Sequence, residues 1–370
     1  MNSRTPLALL GGLSPSQFMR RHWQKKPLLV RQAVPGFESP LSMQDLKALA
    51  AQSDVESRLI TQGPKDWTMR HGPLKARSFP ARSQRAWTFL VQGVNLHDDR
   101  VSDFMRQFRF VPDARLDDVM ISWASDGGGV GPHFDSYDVF LFQAQGRRRW
   151  RIGRSDDLAL KPDVPLKILR RFEPEAEFVL EPGDMLYLPP RYAHDGIAQG
   201  ECMTWSIGFR SAPRHEWARE ILSRLGDHLP EDPVLYGDAQ QACPSNPAQI
   251  PLAMHTHLQA VLKKSLANPM AAQRALGEWL TEPKAEVWFD SSPLWRAGQG
   301  VRLDRRSRML YDRHHVFLNG ESWRASGADA RLLRVLADQG RLNPAQVARA
   351  SADVLTCLQD WCEAGWIRPE

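Results

Sequence analysis

The stretch GPHFDSYDVF, residues 131–140, decides both the fold and the chemistry that this sequence predicts. It places His133 and Asp135 two positions apart at the head of an apolar run that is typical of a buried strand. Because side chains at i and i+2 of a strand point to one face, both polar groups are predicted to enter the same interior. A buried carboxylate without a partner is costly, and a bound cation is the compensation that this pair of residue types favours.

A third metal ligand is predicted in the stretch PPRYAHDG, where His194 follows the strand-like segment MLYLPP. Strands this far apart in sequence can be neighbours in a jelly roll. Two histidines and one carboxylate form a facial triad that leaves coordination positions open, which suits non-haem Fe(II) in oxygenases.

The stretch GRRRW supplies a candidate anchor for a dicarboxylate cosubstrate, fifteen residues after His133. In a strand, Arg148 and Trp150 share one face, whereas Arg147 and Arg149 share the other, which is predicted to be solvated. A guanidinium group stays charged when buried and binds a carboxylate through two parallel hydrogen bonds. Arg148 is therefore the predicted anchor, although a basic surface stripe formed by all three arginines is the alternative.

Composition places the chain among globular proteins, with 42% hydrophobic and 25% charged residues in a length that predicts two or three domains. No apolar run approaches the roughly 20 residues that cross a bilayer, so no membrane association is expected. The four cysteines form neither a CxxC pair nor a zinc spacing and indicate a reducing cytoplasm. A net charge of +5 permits an acidic partner such as ribosomal RNA, and is equally compatible with a mildly basic surface.

The pattern along the chain predicts an α+β protein. Residues 14–50 read as helices, and short strands with glycine and proline turns between about 58 and 211 predict a small β-barrel or double-sheet jelly roll. Amphipathic helices follow, and then two short strands and three helices give a winged-helix outline. The predicted domains are 1–212, 213–284 and 285–370.

The motifs HxD, PGDMLYLPPRYAH and MTWSIGFR resemble those of the JmjC-type, cupin-fold 2-oxoglutarate oxygenases. The stretches RHWQKKPLLV, DDVMISWASDGGGVGPHFDSYDVF and QGRRRW are similar to the bacterial ribosomal oxygenases, over most of residues 15–211. The resemblance implies a double-stranded β-helix catalytic domain, a helical dimerisation region and a winged-helix-like C-terminal domain. On the sequence alone, the helices of about 213–281 are equally compatible with plain domain core. It also implies a cytoplasmic homodimer that uses Fe(II), 2-oxoglutarate and O2 to hydroxylate an arginine of a large-subunit ribosomal protein, giving succinate and CO2.

The same resemblance assigns roles around the metal. It implies that the facial triad binds iron and that Arg148 holds the distal carboxylate of 2-oxoglutarate. Thr204, at a place where the family often has asparagine, is expected to touch the other end of the cosubstrate. By the period of two, Ser122 shares a face with Asp118 and Met120, and this face is predicted to line the barrel mouth with Ser122 near the cosubstrate.

An arginine substrate needs a carboxylate or an aromatic contact to orient its guanidinium group. By alternation Tyr137 shares the face of the metal ligands, whereas Asp138 points away. Asp118, Met120 and Tyr137 are the predicted substrate contacts, with hydrogen-bonded rim residues as the alternative reading.

Other functions stay open on the sequence alone. A cupin that binds metal without redox chemistry, or a zinc hydrolase, would keep the triad but would not need Arg148, and related oxygenases include histidyl hydroxylases. A winged helix can also read DNA, but the helix in the recognition position, ADVLTCLQDWCEAG, carries three acids and no basic residue. Since DNA phosphates favour lysine and arginine, no direct DNA binding is expected, and the unit is predicted to be a protein-contact or packing module.

Overall fold

The computed structural model describes residues 3–63, 67–155, 157–229, 231–243, 245–291, 295–296 and 298–370. The chain divides into two compact units. Unit 1 comprises Met1–Ser211 with Glu286–Trp288, and unit 2 comprises Ala212–Ala285 with Phe289–Glu370.

Unit 1 begins with short helices and continues as an antiparallel sheet. Its α-helices are α1 (Pro15–Arg21), α2 (Met43–Ala50) and α3 (Asp99–Met105). Its strands are β1 (Leu28–Val30), β2 (Ser57–Gln62), β3 (Trp67–His71), β4 (Trp87–Val91), β5 (Leu116–Ala124), β6 (Val139–Gly153), β7 (Ala176–Leu180), β8 (Met185–Leu188) and β9 (Ala193–Phe209). Short 3-10 helices lie at Ala8–Leu10, Ala76–Ser78, Val94–Leu96 and Arg106–Phe108.

Local sequence explains where the first helix begins. The Ser14 side chain accepts from the backbone N–H of Gln17, the Gln17 side chain accepts in return from the Ser14 N–H, and proline occupies the first helical position.

The prediction of helices throughout 14–50 is wrong at β1, which pairs antiparallel with β8 at the edge of the sheet. The apolar run LLV is too short to form a helix. Pairing with β8 supplies hydrogen bonds to its backbone instead.

The sheet of unit 1 runs in the order β1-β8-β6-β9-β5-β4-β2-β3, with β7 also paired to β6. The long strands β6 and β9 form its centre, with partners from Val139↔Gly208 to Gly153↔Ala193. Two register shifts interrupt β6, between Gln143 and Gln145 and between Gln145 and Arg147. Such bulges bend a strand and change which side chains point inward, as expected for a sheet that curves into a jelly roll.

The two faces of this sheet bury different kinds of side chain. One face packs with the N-terminal helices in a core that is rich in fully buried aromatics, among them Phe18, Phe140, Phe142, Tyr187 and Trp205. Each buried aromatic stabilises the fold by roughly 1.5–3 kcal/mol, so this wall is firmly held. The other face carries buried polar side chains, including Ser122, Arg148 and Thr204. The polar face is therefore the one that forms the site.

Unit 2 consists of helices and two small sheets. Its helices are α4 (Arg214–Asp227), α5 (Leu252–Ser265), α6 (Pro269–Thr281), α7 (Gly327–Gln339), α8 (Pro344–Val347) and α9 (Ala352–Glu363). Its strands are β10 (Val301–Leu303), β11 (Met309–Tyr311), β12 (His315–Leu318), β13 (Glu321–Arg324), β14 (Arg341–Leu342) and β15 (Ile367–Pro369). The sheets have the orders β14-β10-β15 and β11-β12-β13, so the described part of this unit contains more strands than the two that the sequence predicts.

Candidate metal centre

His133, Asp135 and His194 lie together on the polar side of the barrel. One ligand atom from each falls within 4.8 Å of the other two. Nε2 of His194 is 3.6 Å from Oδ2 of Asp135, and the two imidazole centroids are 4.2 Å apart. Three donors at this spacing fit a single ion, and two imidazoles with one carboxylate are the donor set of non-haem Fe(II) sites.

The backbone holds the two histidines against each other although they are distant in sequence. The N–H of His133 donates to the carbonyl of His194 at 3.0 Å, and the reverse bond is 2.8 Å. Nδ1 of each ring faces a carbonyl oxygen, that of Gly131 at 2.9 Å and that of Tyr192 at 3.0 Å. A ring nitrogen that donates to a carbonyl leaves Nε2 unprotonated, so both Nε2 lone pairs are free to bind a metal.

Burial keeps His194 neutral. Removal from water, reinforced by the neighbouring His133, lowers the pKa of the His194 imidazole to about 4, against the opposing effect of Asp135. A metal ligand must be unprotonated, so this ring is ready to bind at neutral pH and well below it.

Arg148 lies on the same polar face, 95% buried. Its Nη1 donates to Oγ of Ser122 at 3.2 Å, and the guanidinium carbon is 5.6 Å from the Trp150 ring. Nε and Nη2 are buried, and neither has a hydrogen-bond partner among the residues that the structure describes. A buried guanidinium with two unused donor groups fits a carboxylate ligand. The residues present therefore fit the distal carboxylate of a dicarboxylate cosubstrate.

Ser122 and Thr204 are cross-strand partners beside this arginine, on β5 and β9. The Thr204 hydroxyl donates to Oε1 of Gln143 at 3.0 Å, and Gln143 is itself held by the carbonyl of Gln145 at 2.9 Å. Sequence reasoning missed Gln143. The bulges bring Gln143 and Arg148 to the same side of β6 although five positions separate them, and a period of two predicts opposite sides.

The three predicted substrate contacts lie at one end of the same face. Asp118 is buried and accepts a 2.7 Å hydrogen bond from Nε2 of Gln92, and Tyr137 is 40% exposed. A Cβ built on Gly208 would lie 3.6 Å from Oδ1 of Asp118 and 3.8 Å from the Tyr137 ring. Met120 stands between Asp118 and Ser122 on β5.

The Tyr137 phenol at this end of the site is neutral. Loss of hydration, together with the carboxylates of Asp135 and Asp118, raises the pKa of the Tyr137 phenol, which therefore stays protonated. The residues that sequence reasoning missed here are Gln92 and Gly208. A glycine inside the strand MTWSIGFR is a signal of close approach, whereas a loop glutamine gives no signal.

One structural expectation for the ligands is wrong. Residues 131–138 are not the head of a strand, because β6 begins at Val139 and only His133 makes an isolated bridge, to His194. Gly131 takes a left-handed φ of 76°, and the Arg191 N–H donates to the carbonyl of Asp135 at 2.7 Å. The ligands thus converge from a bent segment, which we call the metal loop (residues 131–138), rather than from strand alternation. Asp138 still points away, as predicted, into the buried hydroxyl of Tyr187 at 2.6 Å.

Comparisons with known proteins agree with this geometry. Residues 103–217 match the family model of the JmjC domain, and residues 264–368 match that of the ROXA-like winged helix. The ribosomal protein uL16 3-hydroxylase of Escherichia coli strain K12 is 36% identical over 276 residues, which are 73% of this chain and 72% of that protein. A probable ribosomal oxygenase of Haemophilus influenzae is 38% identical over 205 residues, or 54% of this chain and 50% of that protein.

Solved structures extend the likeness over both units. An X-ray structure of E. coli ycfD has a TM-score of 0.84 and 30% identity, and the match covers 96% of this chain and 98% of that one. A complex of YcfD with cobalt and 2-oxoglutarate has a TM-score of 0.76 and 28% identity over the same shares. The predicted cupin-type jelly roll and winged helix are thereby confirmed. With its facial triad, its buried arginine and relatives of this closeness, the chain belongs to the ribosomal oxygenase family of JmjC-domain proteins.

Proposed function

We propose that this protein is an Fe(II)- and 2-oxoglutarate-dependent oxygenase that hydroxylates a C–H group of a ribosomal protein. The observation that carries the proposal is the pairing of the triad with the buried Arg148 on one polar face. A purely structural metal site needs no such arginine. The relative named uL16 3-hydroxylase makes uL16 the first substrate to test.

The chain's own residues supply positioning and charge. His133, Asp135 and His194 would hold iron(II), and the triad leaves coordination positions for the cosubstrate and O2. When bound, iron, 2-oxoglutarate and O2 supply the oxidation, which inserts one oxygen atom into a C–H bond and gives succinate and CO2. Arg148 would bind the distal carboxylate, with Ser122 orienting its guanidinium group.

Thr204 forms the wall beside the cosubstrate in this proposal. Its hydroxyl group donates a hydrogen bond to Gln143, so its oxygen can still accept one beside Ser122. A donor on the cosubstrate side, such as an ordered water, would complete the contact.

We infer that the modified residue is an arginine. Asp118 and Tyr137 offer a carboxylate and a neutral ring on either side of the gap that Gly208 leaves, which matches a planar cation. Met120, between Asp118 and Ser122 on β5, would contact the aliphatic part of such a side chain. A neutral imidazole would gain less from the Asp118 carboxylate, so histidyl hydroxylation is the second candidate.

A homodimer is also proposed, formed through the helices of unit 2. The helix α5 exposes Leu252, Leu258 and Leu262 to 80%, 53% and 51%, and α4 exposes Leu222 to 55%. An apolar helix face of this kind is usually covered by another chain, and a second copy is the partner that the resemblance implies. Light scattering of the purified protein would test this.

Location and further partners follow from the proposed substrate. None of the described helices combines the length and apolar character that crossing a membrane requires. We place the protein in the cytoplasm, where ribosomal proteins are made and assembled, and we assign α9 and its neighbours to protein contact rather than DNA binding. Asp353, Asp360 and Glu363 on α9 oppose a DNA backbone.

The decisive experiment is mass spectrometry of large-subunit ribosomal proteins incubated with the enzyme, Fe(II), 2-oxoglutarate and O2. We expect one added oxygen atom on an arginine, lost in His133→Ala and Asp135→Ala and retained in the matched surface variant His71→Ala. A protein that binds metal but yields neither oxygen gain nor succinate would instead be a redox-silent cupin. Oxygen on a histidine would select the histidyl alternative.

A further inference from the structure

Two groups of exposed cations flank the metal loop. The N-terminal basic cluster consists of Arg20, Arg21, Lys25 and Lys26. The insert basic cluster consists of Lys161, Lys167, Arg170 and Arg171, between β6 and β7. We propose that these clusters bind the phosphate backbone of RNA, so that the enzyme engages its substrate protein beside ribosomal RNA. The proposal rests on the proposed function, because it names a further partner of the same site.

The N-terminal basic cluster is not neutralised. Its four side chains are exposed, and none forms an ion pair with any residue in the described ranges. The sequence contains no acid before Glu38. Burial lowers the pKa of the neighbouring His22, and Lys26 and Arg21 lower it further. The lowering of the His22 pKa by Lys26 and Arg21 reflects a local positive potential.

The insert basic cluster lies in a segment that also carries acids. Its four cations are exposed and likewise lack an ion-pair partner across the described part of the chain. Residues 154–175 contain five acids beside five cations. Two of the acids are engaged by hydrogen bonds: Asp157 accepts from the N–H of Ala159 at 2.9 Å, and Glu175 accepts from the Tyr192 hydroxyl at 2.7 Å. An isolated bridge, Leu160↔Leu169, closes the insert and fixes the base of the cluster.

Each cluster is attached to one end of the metal loop. The N–H of Leu169 donates to the carbonyl of Pro132 at 2.8 Å, directly before the ligand His133. At the other end, Nε2 of Gln24 donates to Oδ2 of Asp138 at 3.0 Å, directly after Tyr137. A neighbour of each cluster is therefore bonded to one end of the segment that carries the proposed metal ligands and the proposed substrate contact.

The distribution of charge points to RNA as the occupant. Residues 1–211 contain 29 lysines and arginines against 24 acids, whereas residues 212–370 contain 19 of each, so the whole net charge of +5 belongs to the catalytic part. A surface with this excess of positive charge attracts the phosphate backbone of RNA. Trp23, between Arg21 and Lys25 in the sequence, is buried, so RNA bases cannot stack on it and the proposed contact is with the phosphate backbone.

The test is fluorescence anisotropy with a labelled fragment of large-subunit ribosomal RNA and the full-length, metal-loaded protein. The charge-matched double variants are R20Q/R21Q, R170Q/R171Q and, as a control at the 3-10 helix Ala76–Ser78, K75Q/R77Q. Removal of two phosphate contacts reduces the slope of log K against log salt by about 1.4–1.8. We expect each cluster variant to bind at least about fivefold more weakly at low salt, with the control within about twofold.

Two results would overturn the proposal: no salt-dependent binding of the RNA, or an equal loss in K75Q/R77Q, which would mean that only net charge matters. A preference of the clusters for an acidic peptide of equal charge over the RNA would also overturn it. Hydroxylation of a free substrate peptide, measured in parallel by mass spectrometry, should continue in all three variants. Its absence in the unmodified protein would count against the proposed function, and not against RNA binding.

Discussion

Replacement of Arg148 by methionine should have effects of opposite sign on the free and the cosubstrate-bound protein. In the free protein the guanidinium is 95% buried, and among the described residues it is compensated by one hydrogen bond to Ser122 and by the Trp150 ring. Burial of a charge costs several kcal/mol, whereas a charge-assisted bond returns about 1.5–3 kcal/mol and a desolvated cation–π contact about 2 kcal/mol. We therefore expect Arg148→Met to leave the free protein equally stable or more stable, by up to about 2 kcal/mol.

The bound protein should behave in the opposite way. Loss of one partner of a buried charge pair costs about 2–5 kcal/mol, and 1.4 kcal/mol is tenfold in affinity, so the Kd for 2-oxoglutarate should rise about 30-fold or more. A ligand present at 100 times its Kd stabilises the unmodified fold by about 2.7 kcal/mol. At the same concentration the variant should gain less than about 1 kcal/mol.

Urea unfolding of the Co(II)-loaded protein, with and without 2-oxoglutarate, measures both effects without catalytic turnover. Arg149→Met is the matched control, since Arg149 points to the other face, where it lies 3.7 Å from Glu177. Arg148→Lys should recover part of the binding, because it keeps the charge and loses the fork. A free Arg148→Met protein that is clearly destabilised, yet is still stabilised by 2-oxoglutarate, would show that the arginine is structural and refute this reasoning.

Three further outcomes are expected. The folded-state pKa of His194, about 4, lies below its ordinary value of 6.5, so the unfolded chain takes up the proton first and the metal-free protein should lose up to about 3 kcal/mol as pH falls from 6.5 to 4. Urea unfolding at pH 7 and pH 5 should show about 2 kcal/mol of this loss, and His194→Asn should reduce it. Gly208→Ala should fold normally but raise the KM for the substrate peptide severalfold, because its methyl group enters the gap between Asp118 and Tyr137, and unchanged peptide kinetics would contradict that geometry. Replacement of Leu258 and Leu262 by glutamate should yield monomers in light scattering with hydroxylation of a free peptide retained, whereas an unaltered mass would place the dimer contact elsewhere.

Particular residues show how far sequence alone could go. His133, Asp135 and His194 could be found because a metal site demands residue types that are rare in a core, whatever the local backbone does. The strand assigned to 131–138 was wrong because periodicity cannot distinguish a strand head from a bent segment held by distant carbonyls. The position of Gln143 could not be predicted because the bulges in β6 break the period of two by which side chains alternate along a strand.

The metal loop carries both proposed metal ligands and a proposed substrate contact. Its backbone is fixed at one end by paired hydrogen bonds between His133 and His194, and at the other by Asp138, which sits in the buried contact with Tyr187. Between these anchors the same few residues carry two metal ligands and Tyr137. A substrate that contacts Tyr137, as we propose, would act on a segment that also carries the proposed ligands His133 and Asp135, and a segment anchored at both ends is expected to transmit such a displacement. For this reason we expect substitutions within residues 131–138 to change metal binding and substrate choice together.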